Sequence, residues 1–357
     1  MSSRLPVVKL ATILSILIAV AAVTFLAGCK QPEGGGGPEF KAEIQPLPKG
    51  LASYAEMKIP GDNPMTPEKV ALGRQLFFDK RLSGDESRSC YDCHVCEKGL
   101  TDGLPKAIGA YNKQLTRSSP TLWNIGYHEA FYWDGRSGSL EKQAMAAWQG
   151  GNMGAKDKEQ EIVGRINALK GYRDQFQKVF GGEATAENMM QAISAYERTI
   201  ITGDTPWDKW KAGDDSAMQG AVARGWQVFQ DAKCNNCHDG ALFSDLQYHN
   251  VGVGMDKPEP DGGRFNATKN PADTGAFKTP TLRDVAKSAP YFHDGSVATL
   301  EEAVDFMLGG GRPNPQLDTK NLQKRTITKE QRDDLLAFLR SLSVNNCQIT
   351  APPLPQN

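Results

Sequence analysis

Cys90-Tyr91-Asp92-Cys93-His94 and Cys234-Asn235-Asn236-Cys237-His238 are the two stretches whose residue types and spacing suit redox or metal chemistry. Each is a C-x-x-C-H. Thiols three positions apart reach the two vinyl groups of one porphyrin and form thioethers. The next residue is then held beneath the iron, with its imidazole as proximal ligand. A single copy could instead be a redox dithiol or half of a zinc site. Two copies behind an export signal point to two covalently bound c-type haems. Cys90, Cys93, Cys234 and Cys237 are then the attachment points, and His94 and His238 the iron ligands.

An electron-transfer haem needs two protein ligands, whereas a catalytic one needs a vacant position. Only five histidines are present, so His128, His249 and His293 remain once the proximal ligands are taken. His128 reads as surface or packing. Met307, ahead of Gly309-Gly310-Gly311, is the candidate sixth ligand of the second haem, where Met/His ligation raises the potential. As a helix methionine its bland reading is core packing.

A degenerate internal repeat tests the first haem. Gly73-Arg74-Gln75-Leu76-Phe77 answers to Gly225-Trp226-Gln227-Val228-Phe229. Pro120-Thr121-Leu122 answers to Pro280-Thr281-Leu282, and Phe131-Tyr132-Trp133-Asp134-Gly135 to Tyr291-Phe292-His293-Asp294-Gly295. The last two pairs and Leu140-Glu141/Leu300-Glu301 share an offset of 160 residues, against 144 for the haem cysteines. At the 160-residue offset Met307 falls on Ala147, which cannot ligate iron. Residues 95–119 hold no His or Met, and Lys98, Lys106, Lys113 and Tyr111 are weak donors. The first haem is expected to be five-coordinate or water-bound, and to be where oxidant binds.

The elements that must hold these sites are helical. Thr66-Pro67-Glu68-Lys69 opens a helix through about Phe78, with an N-cap Thr, Pro at the first position and an early acid. Similar patterns run through 140–149, 158–180, 186–201, 217–230, 300–308 and 328–343. No long alternating strand pattern is present. The fold class is mainly α: two cytochrome c-like haem domains, an internal duplication, with long haem-wrapping loops. The 357 residues suffice for two domains, set at 51–205 (N-terminal, with the haem expected to bind oxidant) and 206–345 (C-terminal, with the electron-transfer haem), with a tail at 346–357. A net charge of −1 gives no sign of a nucleic-acid partner.

Residues 1–28 have a basic start (Arg4, Lys9), an apolar run and Leu26-Ala27-Gly28-Cys29. This looks like a bacterial lipoprotein signal that leaves Cys29 as the lipidated terminus; the alternative is an uncleaved single-helix anchor. Either puts the rest outside the cytoplasm. The Gly- and Pro-rich residues 29–50 form a flexible tether. The expected address is the periplasm, lipid-anchored, and Lys30 after the cysteine leans by resemblance to the outer membrane. Of seven cysteines, Cys96 and Cys347 remain. An oxidising compartment allows them to pair, while sequence leaves their separation open.

Residues 60–345 resemble the bacterial dihaem cytochrome c peroxidase and MauG superfamily. The motifs are Ser89-Cys90-x-x-Cys93-His94 with Thr101-Asp102-Gly103, Arg117-x-x-Pro120-Thr121-Leu122-x-Asn124, Phe131-Tyr132-Trp133-Asp134-Gly135-Arg136, Phe277-Lys278-x-Pro280-x-Leu282-Arg283 and Ala289-Pro290-Tyr291-Phe292-His293-Asp294-Gly295. The resemblance implies that Trp133 lies between the haems and relays electrons or holds a radical. It puts Met307 where peroxidases carry the distal Met and MauG-like proteins a Tyr, and His249 and His293 at positions near the second haem, where they hydrogen-bond loops or propionates. It implies one Ca2+ between the domains at Ser118, Ser288 and Pro290, with Ser118 replacing the family's Asn and carbonyl ligands left at 288 and 290. Family members are often homodimers.

Two departures stand out. The loop after the first haem site has no distal His. Where the family has a Glu before a Met that assists O–O cleavage, this chain reads Gln149-Gly150-Gly151-Asn152-Met153. An amide from Asn152 or Gln149 hydrogen-bonds peroxide but shuttles no proton. Three readings follow: a peroxidase reducing H2O2 with electrons from a small periplasmic cytochrome c or copper protein; a MauG-like oxidase modifying Trp or Tyr of a partner protein; and a non-enzymatic dihaem electron carrier.

Overall fold

The computed structural model describes Leu47, residues 54–343 and residues 347–356. Cys29, the signal segment and most of the tether lie outside the described residues.

Helix α1 (Pro67–Phe78) starts where Thr66 accepts a hydrogen bond from the Lys69 amide at 3.2 Å, with Pro67 at the first position. The single turn α2 (Cys90–Cys93) follows, then α3 (Leu140–Gln149), α4 (Glu159–Ala168), α5 (Lys170–Phe180) and α6 (Ala186–Glu197). After them come α7 (Pro206–Lys211), α8 (Gly220–Asp231), α9 (Phe265–Thr268), α10 (Leu300–Leu308) and α11 (Lys329–Ser341). The helix expected over 158–180 is two helices, because the chain leaves helical geometry at Leu169 (φ −85°, ψ 113°). The helix expected to Ile201 stops at Glu197. The strands are β1 (Tyr248–His249) and β2 (Phe277–Lys278), paired antiparallel with Tyr248 opposite Lys278.

Two hydrophobic cores result. One gathers Leu72, Leu76, Phe77, Trp148, Met189 and Ile193; the other gathers Trp207, Phe229, Phe243, Leu335 and Phe338. In each, a first and a last helix cross at a glycine. A Cβ on Gly73 of α1 would overlap the carbonyl oxygen of Ala192 in α6, and one on Gly225 of α8 that of Asp334 in α11. Only hydrogen fits between the two backbones, which explains the repeated glycine.

The duplication extends into the loops. Asn124 and Asp284 both lie in the left-handed region, at φ 59° and 60°, as do Tyr132 and Phe292 at 67° and 69°. The bridges Phe131 to Ser137 and Tyr291 to Val297 close the same turn in each copy. Beside Trp207 and Phe243 of the second core, Arg283 and Asp208 form a fully buried ion pair at 2.6 Å.

The chain end returns to the first core. Arg74 donates to the Thr350 carbonyl at 2.8 Å, Gln75 to that of Pro353 at 3.2 Å and Arg81 to that of Pro355 at 3.0 Å. Cys96 and Cys347 form a disulfide, with Cα atoms 5.8 Å apart.

Candidate haem sites

Both C-x-x-C-H segments face one continuous cavity of about 760 Å3. At the first, Ser89 caps α2: its amide and hydroxyl both donate to Asp92 Oδ2 at 2.7 Å. The loop beyond closes by the bridge between Val95 and Thr101. That closure sets the Leu100 carbonyl 3.1 Å from Nδ1 of His94. At the second, a 3-10 turn over Cys234–Asn236 carries the cysteines, and Nδ1 of His238 lies 2.9 Å from the Phe243 carbonyl. In both rings Nδ1–H donates to a carbonyl, which leaves Nε2 free as a ligand. Burial pushes the His94 pKa down to about 4 and lowers that of His238, so both imidazoles are neutral as ligation requires.

The thiols argue the same way. Burial lifts the Cys93 and Cys234 thiols to about 12 and Cys90 well above its ordinary value. A redox dithiol needs a depressed pKa, and these have the opposite. The residues fit two thioether-linked haems.

Ala147 lines the cavity on the first side, and Met307, with Ala303, Val304 and Leu308, on the second. Asn152 lines it; Gln149 does not, and its amide donates instead to Glu159 at 2.7 Å. Trp133 lines it as well. Its indole donates to the Ser118 carbonyl at 3.0 Å, and its carbonyl accepts from the Lys278 amide at 2.8 Å. Ser118, Ser288 and Pro290 share the lining. The Ser118 hydroxyl is engaged with the Phe292 carbonyl at 2.9 Å, while Ser288 Oγ turns to the Val285 carbonyl at 3.1 Å.

His249 lies between two carboxylates, Nδ1 2.6 Å from Asp318 and Nε2 2.9 Å from Asp245. His293 is buried and stacks on Phe277, ring centroids 3.6 Å apart. His128, expected at the surface or in packing, is buried at 5% exposure and lines the cavity.

The sequence pattern did not single out several lining residues. Met153 and Met190 bring buried thioethers. Glu197 brings a buried carboxyl whose Oε2 has no partner. Burial lifts its pKa to about 8, Arg198 opposing and Glu141 adding to the rise. A signal existed: Met190, Ile193 and Glu197 share one face of α6 at helical spacing, so an acid stood on an apolar stripe.

Two thioether-type motifs, two neutral histidines bonded at Nδ1 and a shared apolar cavity define a dihaem c-type cytochrome. A profile described as di-haem cytochrome c peroxidase matches residues 67–216, and one described as cytochrome c matches 222–343. The chain is 38% identical over 302 residues to the methylamine utilization protein MauG of Methylorubrum extorquens, covering 83% of this chain and 84% of that one. It is 35% identical over 370 residues to the cytochrome-c peroxidase IdrP1 of Denitromonas iodatirespirans, covering 95% of each. A solved MauG-like protein associated with microbial copper homeostasis superposes with a TM-score of 0.75 at 32% identity, over 89% of this chain and 97% of that one. The chain belongs to the dihaem cytochrome c peroxidase and MauG family. It is an oxidoreductase of the cytochrome-c peroxidase type with two c-type haems.

Proposed function

We propose that the protein reduces H2O2 to water with electrons from a small periplasmic cytochrome c or copper protein. The observation that carries this reading is the asymmetry of the lining: a thioether, Met307, on the second side and Ala147 at the equivalent place on the first. Two bound haems would supply electron storage and, on the side lined by Ala147, an iron site for the oxidant. The protein's part is to orient and insulate. Leu100 and Phe243 fix the two proximal imidazoles by their carbonyls. Trp133, held at both its indole and its carbonyl, stands in the shared cavity as the electron relay. Asn152 offers an amide to hydrogen-bond peroxide. Electrons enter on the His238 and Met307 side.

One Ca2+ is proposed at Ser118, Ser288 and Pro290, three residues that line the cavity, with carbonyl oxygens of 288 and 290 as its ligands. The address proposed is the periplasm, with Cys29 lipidated and anchored to the outer membrane. An oxidised Cys96–Cys347 pair suits that compartment.

Asn152 favours a second reading. An amide where peroxidases place an acid supports a MauG-like oxidase acting on Trp or Tyr of a partner protein. Steady-state oxidation of reduced small cytochromes c and copper proteins by H2O2 separates the two. Rapid, saturable donor oxidation is expected. Failure with every donor, together with a long-lived high-valent spectrum after peroxide, overturns the peroxidase reading.

A further inference from the structure

Lys278 is a buried amine bonded to no carboxylate among the described residues. It lies on β2 at 8% exposure, and Nζ donates to the Ala130 carbonyl at 2.6 Å and to Nδ1 of His128 at 3.2 Å. Both acceptors are neutral. Asp134 is the acid whose charge acts on it, but the Asp134 carboxylate is held by Arg117 at 2.8 Å and Arg136 at 2.9 Å. A buried cation without an opposed charge is unfavourable, and burial presses Lys278 down to about 8.

His128 is in the same condition. Donated to at Nδ1, the neutral ring carries its proton on Nε2, and that nitrogen is buried without a partner. Burial, then the Lys278 charge, holds its pKa well below the ordinary value. Two groups that line the haem cavity thus lack a partner, Lys278 an opposed charge and His128 Nε2 an acceptor.

His128 also borders a second hollow of about 280 Å3, which reaches solvent at the exposed Lys58–Glu129 pair. His128 and Phe131 line both spaces, and of the two only the imidazole carries protons. The charged groups around this path are Lys278, Asp134, Arg117 and Arg136 on the cavity side, and Lys58, Glu129 and Arg198 around the hollow.

We propose that Lys278 and His128 form a carboxylate-binding pair that seats a propionate of one haem, and that His128 couples this carboxylate to protons from the surface hollow. The propionate supplies the charge that Lys278 lacks and the acceptor that Nε2 lacks. Reduction of a haem seated there would add negative charge beside the pair, and the seated carboxylate would then take up one proton, delivered through His128, for the electron gained. The inference rests on two bound haems and not on the peroxidase reading, so either can fail without the other.

The test is spectroelectrochemical titration of each haem in the purified dihaem protein, on both sides of pH about 8, the value for Lys278. Wild type is expected to show one haem whose midpoint falls as pH rises. Lys278→Met moves that midpoint negative and leaves the other haem in place, Lys278→Arg restores it, and His128→Phe flattens its pH slope. Unchanged midpoints and slopes in Lys278→Met, with two haems per chain by pyridine haemochrome assay, overturn the proposal. Should that variant fail to take up haem, the wild-type infrared redox difference spectrum with propionate-labelled haem decides. A labelled carboxylate band that responds to D2O supports the pair, and its absence overturns it. A midpoint that moves on adding acetate to wild type means that a free anion holds the site, which also overturns it.

Discussion

Trp133 and His293 occupy the same place in two copies of one turn, and Ser118 bonds both. The Trp133 indole donates to the Ser118 carbonyl at 3.0 Å, and the Ser118 amide donates to the His293 carbonyl at 2.8 Å. Each follows an aromatic residue in the left-handed region, Tyr132 and Phe292, and stands two residues before a glycine in that region. The repeat has thus given one domain an indole and the other a neutral imidazole, whose pKa burial lowers to about 4. Of these two only the indole is an efficient one-electron relay. Trp133→Phe is therefore expected to keep both haem spectra and lose about tenfold or more in donor oxidation, roughly 1.4 kcal/mol of barrier per tenfold. Stopped-flow reduction of the first haem through the second checks it. An unchanged inter-haem rate would show that electrons bypass Trp133.

Much of this was legible in the chain, for definite reasons. Haem attachment is a local covalent pattern, so Cys90 to His94 and Cys234 to His238 needed no fold to be read. The 160-residue offset is reproduced in the backbone because identical turns need identical left-handed positions. What stayed hidden depends on long-range approach. Lys278 and His128 are 150 residues apart and meet only because β2 and the loop before Phe131 pack together. Gln149 and Asn152 looked equivalent in sequence, yet the end of α3 at Gly150 turns one toward Glu159 and the other into the cavity.

The ligand asymmetry gives a spectroscopic prediction. Low-temperature EPR of the oxidised protein is expected to show one low-spin and one high-spin ferric haem. Met307→Leu should convert the low-spin signal to high-spin and leave the other untouched. Met153→Leu and Met190→Leu should change neither signal. These two matter because both thioethers line the same cavity. A spin-state change in either would mean that the first haem takes a methionine and that Ala147 does not leave it open.

The Cys96–Cys347 bond closes a sequence separation of 251 residues and brings the chain end to the loop beyond His94. Cross-linking so distant a pair restricts the unfolded chain, and the expected contribution is roughly 2–5 kcal/mol. Cys96→Ser with Cys347→Ser should lower the unfolding free energy by that amount, read as a fall in the denaturant midpoint, while both haems stay attached, since neither residue belongs to a C-x-x-C-H. Wild type under reductant should match the double variant. An unchanged midpoint would show that the hydrogen bonds from Arg74, Gln75 and Arg81 alone hold the chain end.

Glu197 sets a pH dependence of stability. Its folded pKa is raised to about 8 from an ordinary 4.5, chiefly by burial. The folded protein therefore binds this proton more tightly than the unfolded chain does. The stabilisation is fully present below pH 4.5 and is lost as pH rises through about 8. Its size is on the order of a few kcal/mol, since each tenfold gain in proton affinity is worth about 1.4 kcal/mol. Glu197→Gln keeps the neutral polar shape and removes the titration. The variant should unfold at about the wild-type temperature in acid and at a higher one above pH about 8. The wild-type decline between those limits should be flattened in it. Parallel curves for the two proteins across the range would show that the carboxyl is already ionised and paired in the dihaem state.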